Sequence, residues 1–404
     1  MRMKRIDTMA TRGTLVAWMG TSPMRAGQCP GWAIALIRWL SLLTLACLLL
    51  AGVTGCKDET ASGTTAVTAK TDLDSGPGRL VVSLPYPAWS DVYVSGQAAV
   101  VIGEGGSIRH SADGGKTWTS VSSGTDSTLL ALQGDDQRLV AVGGRGAIVH
   151  SQDGGKTWAT VSSNTNNYLS ALHGDGQRLL AVGEAGAIVR SEDGGKTWAS
   201  VSSDTDSDLL AVHGDGQRLV AVGERGAIVR SQDGGKTWAS VSSGTDSALR
   251  ALHGDGQRLL AVGERGAIVR SDDGGKTWAT VSSGTDSALL ALHGDGQRLL
   301  AVGERGAIVR SDDGGKTWAS MSSSADSDLD ALHVDGQLLV AVGERGAIVR
   351  SQDGGKTWAT VPSGTDKYLY AVHGDGQRLV AAGRRGAIVR SEDGGKTWAT
   401  AISQ

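Results

Sequence analysis

From residue 80 onward, apolar and polar residues alternate in bursts of five or six, and the bursts recur in groups of four. One group runs from Ala248 to Thr285. Residues 249–253 (LRALH) alternate as a half-buried strand does, and Gly254-Asp255-Gly256 has hairpin-turn chemistry. Residues 258–262 (RLLAV) make a second strand, Gly263 to Gly266 a second turn, 267–271 (AIVRS) a third strand and 277–282 (TWATVS) a fourth. Residues 283–287 (SGTDS) cross to the next group. No stretch carries the 3.6-residue apolar rhythm of a helix, which excludes a helical solenoid. Four short strands with tight turns on a constant period predict an all-β fold, a β-propeller of four-stranded blades.

The period is marked by an octamer of the pattern S-x-D-G-G-K-T-W, as in Ser231 to Trp238 (SQDGGKTW), which occurs eight times at a spacing of 40 residues without an insertion. Its Asp and Trp positions are Asp113 and Trp118, Asp153 and Trp158, Asp193 and Trp198, Asp233 and Trp238, Asp273 and Trp278, Asp313 and Trp318, Asp353 and Trp358, and Asp393 and Trp398. A repeat of this length decides the architecture before any local signal does. Ser and Asp side chains accept bonds from backbone N–H groups a few residues on and close a turn. The Gly pair takes positive φ without a Cβ clash, and Thr-Trp opens a strand. A buried Trp removes roughly 150–250 Å² from water, worth about 4–6 kcal/mol as an upper figure.

This octamer resembles the Asp box, or bacterial neuraminidase repeat, S-x-D-x-G-x-T-W. The resemblance spans residues 80–404 and implies that each box is the hairpin between the third and fourth strands of a blade, with a structural role. A calcium loop is the alternative, but DDGGK does not supply the required ladder of oxygen ligands. Eight units predict eight blades, or seven if one unit is displaced. Leu80 to Ser83 aligns with a fourth strand and is a candidate clasp on the last blade, competing with residues 398–402.

Ahead of the repeats, residues 39–53 (WLSLLTLACLLLAGV) form an apolar run too short to span a membrane, preceded by Arg25 and Arg38. It ends in Val53-Thr54-Gly55-Cys56, which resembles a bacterial lipobox. Residues 1–55 therefore read as an export signal, Cys56 as the lipidation site and residues 57–79 as a flexible tether poor in apolar side chains; Cys47 is the weaker rival, because cutting there would split the apolar run, and an uncut N-terminal anchor is the alternative. The expected location is a bacterial membrane facing the periplasm, with the outer membrane favoured, or the cell surface. Residues 1–55 hold six Lys/Arg and one Asp, so a chain starting at Cys56 carries −8 instead of the −3 of the full sequence. An acidic exported chain is a poor partner for nucleic acid. Cys56 is also the only cysteine left after cleavage, which excludes a disulfide within the mature chain.

Comparing the eight units with one another locates where they vary. One variable position runs Ala88, Thr128, Tyr168, Asp208, Ala248, Ala288, Asp328, Tyr368, and a second runs Ser90, Leu130, Ser170, Leu210, Arg250, Leu290, Asp330, Tyr370. Two residues apart, they share one side of the first strand near the mouth of the central channel. The turn after the second strand opens on the same face and carries Arg145, Arg225, Arg265, Arg305, Arg345, Arg384 and Arg385. Tyr and Arg dominate binding hot spots, so these residues are the expected partner-binding set; the alternative is a solvated rim of mutually neutralising Glu and Arg. A histidine ends six of the first strands (His173, His213, His253, His293, His333, His373). A metal-binding or pH-sensing ring is one reading and a hydrogen-bonded strand end the other; rings on different blades are expected to lie too far apart for one tetrahedral site, and no metal or cofactor is expected.

Asp-box proteins include sialidases. The Arg-Ile-Pro start of a sialidase domain is missing here, and no unique acidic pair stands out from the repeats for glycoside chemistry. The run G-x-x-G-x-I-x-x-S-x-D-G-G-x-T-W at Gly223 to Trp238 is similar to that of the photosystem II stability and assembly factor family. That resemblance implies a non-enzymatic propeller that binds membrane-protein assembly intermediates, in part through surface Arg residues. The expected function is thus a membrane-anchored propeller that binds protein subunits of a membrane complex; a glycan-binding protein or sialidase-like glycoside hydrolase is the alternative.

Overall fold

The computed structural model describes residues 87–403 apart from residue 175; the signal segment, Cys56, the tether and Leu80 to Ser83 lie outside the described residues. Each 40-residue unit folds as one antiparallel four-stranded sheet in which every strand pairs with the next in sequence, and there are eight sheets. In the fifth blade the strands are Leu249–Gly254, Leu259–Gly263, Ile268–Ser271 and Ala279–Val281. The fourth strand begins after Trp278, two residues later than expected, because the Asp box holds Thr277 and Trp278 in its turn.

The first strands of successive blades contact one another in order, and that of the first blade (Trp89–Ser95) meets that of the last (Leu369–Gly374), which closes the ring. The apolar residues on both sides of each sheet then find a neighbour. Leu180, Val182 and Ile188 of blade 3, for example, pack on Leu209, Val212, Leu219, Ala221, Val229 and Trp238 of blade 4. Eight such clusters, each shared by two adjacent blades, make up the core among the described residues. Four of the repeated Trp (118, 198, 238, 358) are buried, and the other four are half-buried against the same clusters.

Closure uses the C-terminal residues. After the fourth strand of blade 8 (Ala399–Thr400), Ile402–Ser403 pairs parallel with the outer strand of blade 1, Ile402 opposite Thr117 and Ser403 opposite Trp118. The side chains of Trp89, Val92 and Trp118 pack with Ala371, Val380 and Ile388 across the same seam.

The Asp boxes behave as their chemistry predicts. In blade 4, Ser231 Oγ accepts from Gly235 N at 2.9 Å, Asp233 Oδ1 accepts from Lys236 N and Thr237 N at 3.0 Å, and the Thr237 hydroxyl donates to Asp233 Oδ2 at 2.6 Å. Gly234 and Gly235 take φ of 73° and 81°, a region closed to most side chains. In the equivalent box of blade 3, the Thr197 hydroxyl bond, helped by backbone N–H groups and opposed by desolvation, pushes the Asp193 carboxyl down to about 2.

Candidate functional site

The start of each first strand and the turn between the second and third strands lie at the same edge of the ring. In blade 5, Glu264 N donates to Ala248 O at 2.9 Å, and Leu249 pairs with Gly263. The approach is so close that a Cβ on Gly263 would fall 1.9 Å from Ala248 O, which accounts for glycine there.

At this edge every first strand carries an irregularity absent from the sequence reading. In blade 5 the register jumps between Leu249 and Ala251, leaving Arg250 without a partner. The same shift occurs in the other seven blades, between the residues that flank Ser90, Leu130, Ser170, Leu210, Leu290, Asp330 and Tyr370. The second variable position is therefore the extra residue of a β-bulge in all eight blades. A bulge bends the strand and re-aims its side chain, so sequence variation coincides with the point least constrained by the ladder. This edge is the bulge face of the ring.

The turn arginines sit on this face with exposed side chains. Arg145, Arg225, Arg265, Arg305, Arg345 and Arg385 all have φ between 54° and 56°, a left-handed conformation that costs a non-glycine residue about 1 kcal/mol or more. Blade 1 has Gly105 and blade 3 Ala185 at this position. Arg384 takes the place that Glu occupies in six other blades. The ion pairs of these arginines are loose and solvated: Arg145 to Asp126 and Arg225 to Asp206, each 3.4 Å, and Arg345 to Glu344 at 3.8 Å. Such exposed pairs contribute little.

The variable residues fall into four arrangements. Asp208 and Asp328 reach back one blade, and each accepts a backbone N–H from the left-handed turn residue there, Ala185 or Arg305, at 2.9 Å. Tyr168, 48% exposed, lies over Gly144 of the preceding blade, where a Cβ would come within 3.0 Å of its ring; most other blades have Glu at that turn position. Arg250 sits between two turns, 2.5 Å from Glu264 of its own blade and 3.8 Å from Glu224 of the one before.

The fourth arrangement joins blades 7 and 8. Tyr368 and Tyr370 stack with ring centroids 4.7 Å apart, and Tyr370 is 36% exposed. Asp330 lies against Tyr368. Burial pushes its carboxyl up to about 6, with Asp328, Glu344 and Glu304 adding to the rise and the Tyr368 hydroxyl working against it. Tyr368 in turn is held well above the ordinary phenol range, by burial first and by Asp330 next. The expected binding set is thus brought together only in part: Asp328, Asp330, Tyr368 and Tyr370 share one sector, while Tyr168 stands three blades away around the ring.

The histidines mark the opposite end of the channel. Neighbouring rings are closer than the sequence suggests: His173–His213, His213–His253, His253–His293 and His333–His373 have centroids 5.1–5.7 Å apart. His213 Nε2 meets Gly254 O of the next blade at 2.9 Å and His253 Nε2 meets Gly294 O at 3.1 Å. These are hydrogen-bonded strand ends that also bridge blades. Gln133 makes the same bond in blade 2, to Gly174 O at 3.0 Å. Among the described residues no three His, Cys, Asp or Glu are grouped to hold a metal. On this side the structure shows a further link absent from the sequence reading. The third-strand arginines Arg190, Arg230, Arg270 and Arg310 donate from Nε to the Asp-box carbonyls of the next blade, at Gly234, Gly274, Gly314 and Gly354, over 2.7–3.1 Å.

With this geometry in view, similarity to known proteins can be placed. The solved structure of YCF48 bound to D1 peptide shares 22% identity and superposes with a TM-score of 0.53, covering 66% of this chain and 91% of that one. YCF48 from Cyanidioschyzon merolae gives 20% and 0.52, covering 66% and 96%. The computationally designed Ika8 protein gives 16% and 0.64, covering 76% and 96%. At these identities the likeness is one of fold. Comparison with curated protein sequences gives no match. The family model described as photosynthesis system II assembly factor YCF48 matches residues 164–296 and again 284–404, the C-terminal part of the ring. By that match over more than half its length, the chain belongs to the photosynthesis system II assembly factor YCF48 family.

Proposed function

We propose that this propeller is a non-enzymatic docking protein, exported and held at a membrane through lipid on Cys56, which binds a segment of a membrane-complex subunit on its bulge face. The observation that carries the reading is the placement of the exposed aromatics. Tyr168 and Tyr370 are the large apolar side chains that stand exposed among the described residues, and both project from this face. Around them stand six arginines held in a strained backbone conformation, and strain of that kind concentrates at functional positions. A family member of the same fold was solved with a bound D1 peptide, which supports a protein segment as the ligand.

A hydrolase would need an activated nucleophile. Asp330 and Tyr368 are an acid and a phenol in contact where the repeat is broken, but the Tyr368 hydroxyl is held above its ordinary range by burial and by Asp330, which makes it a poor nucleophile at neutral pH. This favours binding over glycoside hydrolysis. The test is a cross-linked pull-down from detergent-solubilised membranes, comparing the wild type with the Tyr168→Ala, Tyr368→Ala, Tyr370→Ala triple variant. Loss of one membrane complex in the variant is the expected result. Capture unchanged by the triple variant would overturn the docking face, and no protein partner with either form would send the question to glycan arrays.

A further inference from the structure

Blade 5 shows what the bulge position does when it carries a cation. The Arg250 guanidinium lies between Glu264 of its own turn and Glu224 of the preceding turn, at 2.5 and 3.8 Å, and so ties two blades together. Two blades further on, the bulge residue is Asp330, and the turn glutamates in the corresponding places are Glu304 and Glu344. The chain has a carboxylate where blade 5 has a guanidinium.

The charge of the sector is only weakly offset among the described residues. Asp328 adds a fourth carboxylate, engaged among the described residues by the backbone N–H of Arg305. Glu344 has its sequence neighbour Arg345 at 3.8 Å, with that side chain 77% exposed. Asp330 Oδ2 is buried without a hydrogen-bond partner. Like charges gathered in a partly desolvated place are costly, and the rise of the Asp330 carboxyl to about 6 follows from that burial and from its acidic neighbours. Beside it stands the stacked pair Tyr368 and Tyr370, the second exposed. An aromatic face next to carboxylates suits an organic cation. A bare metal ion is less suited, because no three of these groups are arranged to hold one.

We propose that the sector formed by Glu304, Asp328, Asp330, Glu344, Tyr368 and Tyr370 is a receptor for one basic side chain, arginine or lysine, of the docked protein segment. The inference rests on the docking reading of the bulge face and adds to it the chemistry of one anchor. The incoming guanidinium takes the place that Arg250 fills in blade 5, bridging the turn glutamates of blades 6 and 7, with its flat face toward Tyr370.

The test uses the full chain and two small probes, acetyl-Gly-Arg-Gly-amide and the same peptide with citrulline, which keeps the shape and removes the charge. The arginine peptide is expected to shift the ring signals of Tyr368 and Tyr370 in NMR spectra and to bind about tenfold more tightly than the citrulline peptide, about 1.4 kcal/mol. Asp330→Arg supplies the cation internally and is expected to abolish this binding and to raise the thermal midpoint. Asp330→Asn, which keeps the size of the side chain, is expected to weaken binding about tenfold while the protein stays folded. Equal shifts from both peptides, or undiminished binding in the two Asp330 variants, would overturn the proposal. The outcomes separate it from the docking reading: if the triple tyrosine variant loses the membrane complex while the arginine peptide shows no preference over citrulline, docking stands and this anchor falls.

Discussion

Arg230 donates from Nε to the carbonyl oxygen of Gly274 over 2.7 Å, crossing from the third strand of blade 4 to the Asp box of blade 5. The side chain is 9% exposed, and Gly274 is itself held at φ 72° by its box. Apart from Ile402–Ser403 on blade 1, strand pairing runs within blades, so bonds of this kind, with those of the histidine belt, supply directional links between sheets that otherwise meet largely through apolar side chains. Arg230→Ala is expected to lower the free energy of unfolding by about 1–3 kcal/mol in a denaturant titration, since it leaves a carbonyl unsatisfied and opens space at a seam. Arg230→Lys is expected to recover little, because the bond is made by Nε and an ammonium has no donor at that point of the side chain. Full recovery by Lys would show that charge alone matters there.

The Asp boxes predict an acid limit. Asp113, Asp153, Asp193 and Asp393 are held down to about 2 and their counterparts lower still, with the bond from the box Thr hydroxyl as a main cause in each. A carboxylate with a depressed pKa contributes stability that is present above its unfolded value, near 3.9, and is lost as the pH falls through the folded value. The propeller is therefore expected to lose stability steeply between pH of about 4 and about 2, and Asp193→Asn is expected to make that slope shallower. A slope unchanged by this variant in acid-titration circular dichroism would mean that the boxes are not what fails.

The histidine belt predicts a second window at higher pH. Burial pushes His253 down to about 4, with His293 and His213 contributing, and pushes His333 down to about 4, with His373 contributing. For an imidazole with a lowered pKa, stability is complete above the unfolded value of about 6.5 and declines as pH falls toward the folded one. His253→Gln keeps a donor for Gly294 O, as Gln133 already does for Gly174 O. It is expected to match wild type at pH 7.5 and to lose less stability between pH 6.5 and 4, as read from thermal midpoints across that range.

Tyr168 and Gly144 are expected to act as a pair. Gly144→Glu restores the residue that most other blades carry, but its Cβ would come within 3.0 Å of the Tyr168 ring. The substitution is expected to displace the ring, visible as a change in the Tyr168 ring signals, while Tyr168→Ala should make Gly144→Glu close to neutral for stability. Additivity of the two changes would remove the coupling.

The anchor has a direct check. Cys56 closes a lipobox-like sequence, and Cys56→Ser is expected to move the protein from the detergent phase to the aqueous phase in a detergent phase-separation experiment. A protein that stays with the membrane after this change is held by something other than lipid on Cys56.

The repeat alone was enough for the architecture. A 40-residue period with four apolar bursts and an Asp box in each unit predicts four-stranded blades, and the described residues form eight of them. These features are legible because they are local: a Ser-x-Asp-Gly-Gly turn closes on its own backbone, and alternation at period two is a property of a single strand. The turn arginines and the two variable positions were also visible, since comparison of the units exposes where they differ. What the sequence left open depends largely on contacts between units. The seating of Arg250 between two turns, Asp330 against Tyr368 of the next blade and Tyr168 over Gly144 of the preceding one arise where neighbouring blades meet, while the bulge at residues 90 to 370 of the second series and the stacking of Tyr368 on Tyr370 form within a blade but leave no mark in its periodicity. Residues 40 positions apart in sequence become neighbours only when the ring closes, and no periodicity within one unit records which side chain of the next it will face. The repeat therefore determined the scaffold, and the tertiary structure decided which of its nearly identical edges differs in charge and shape.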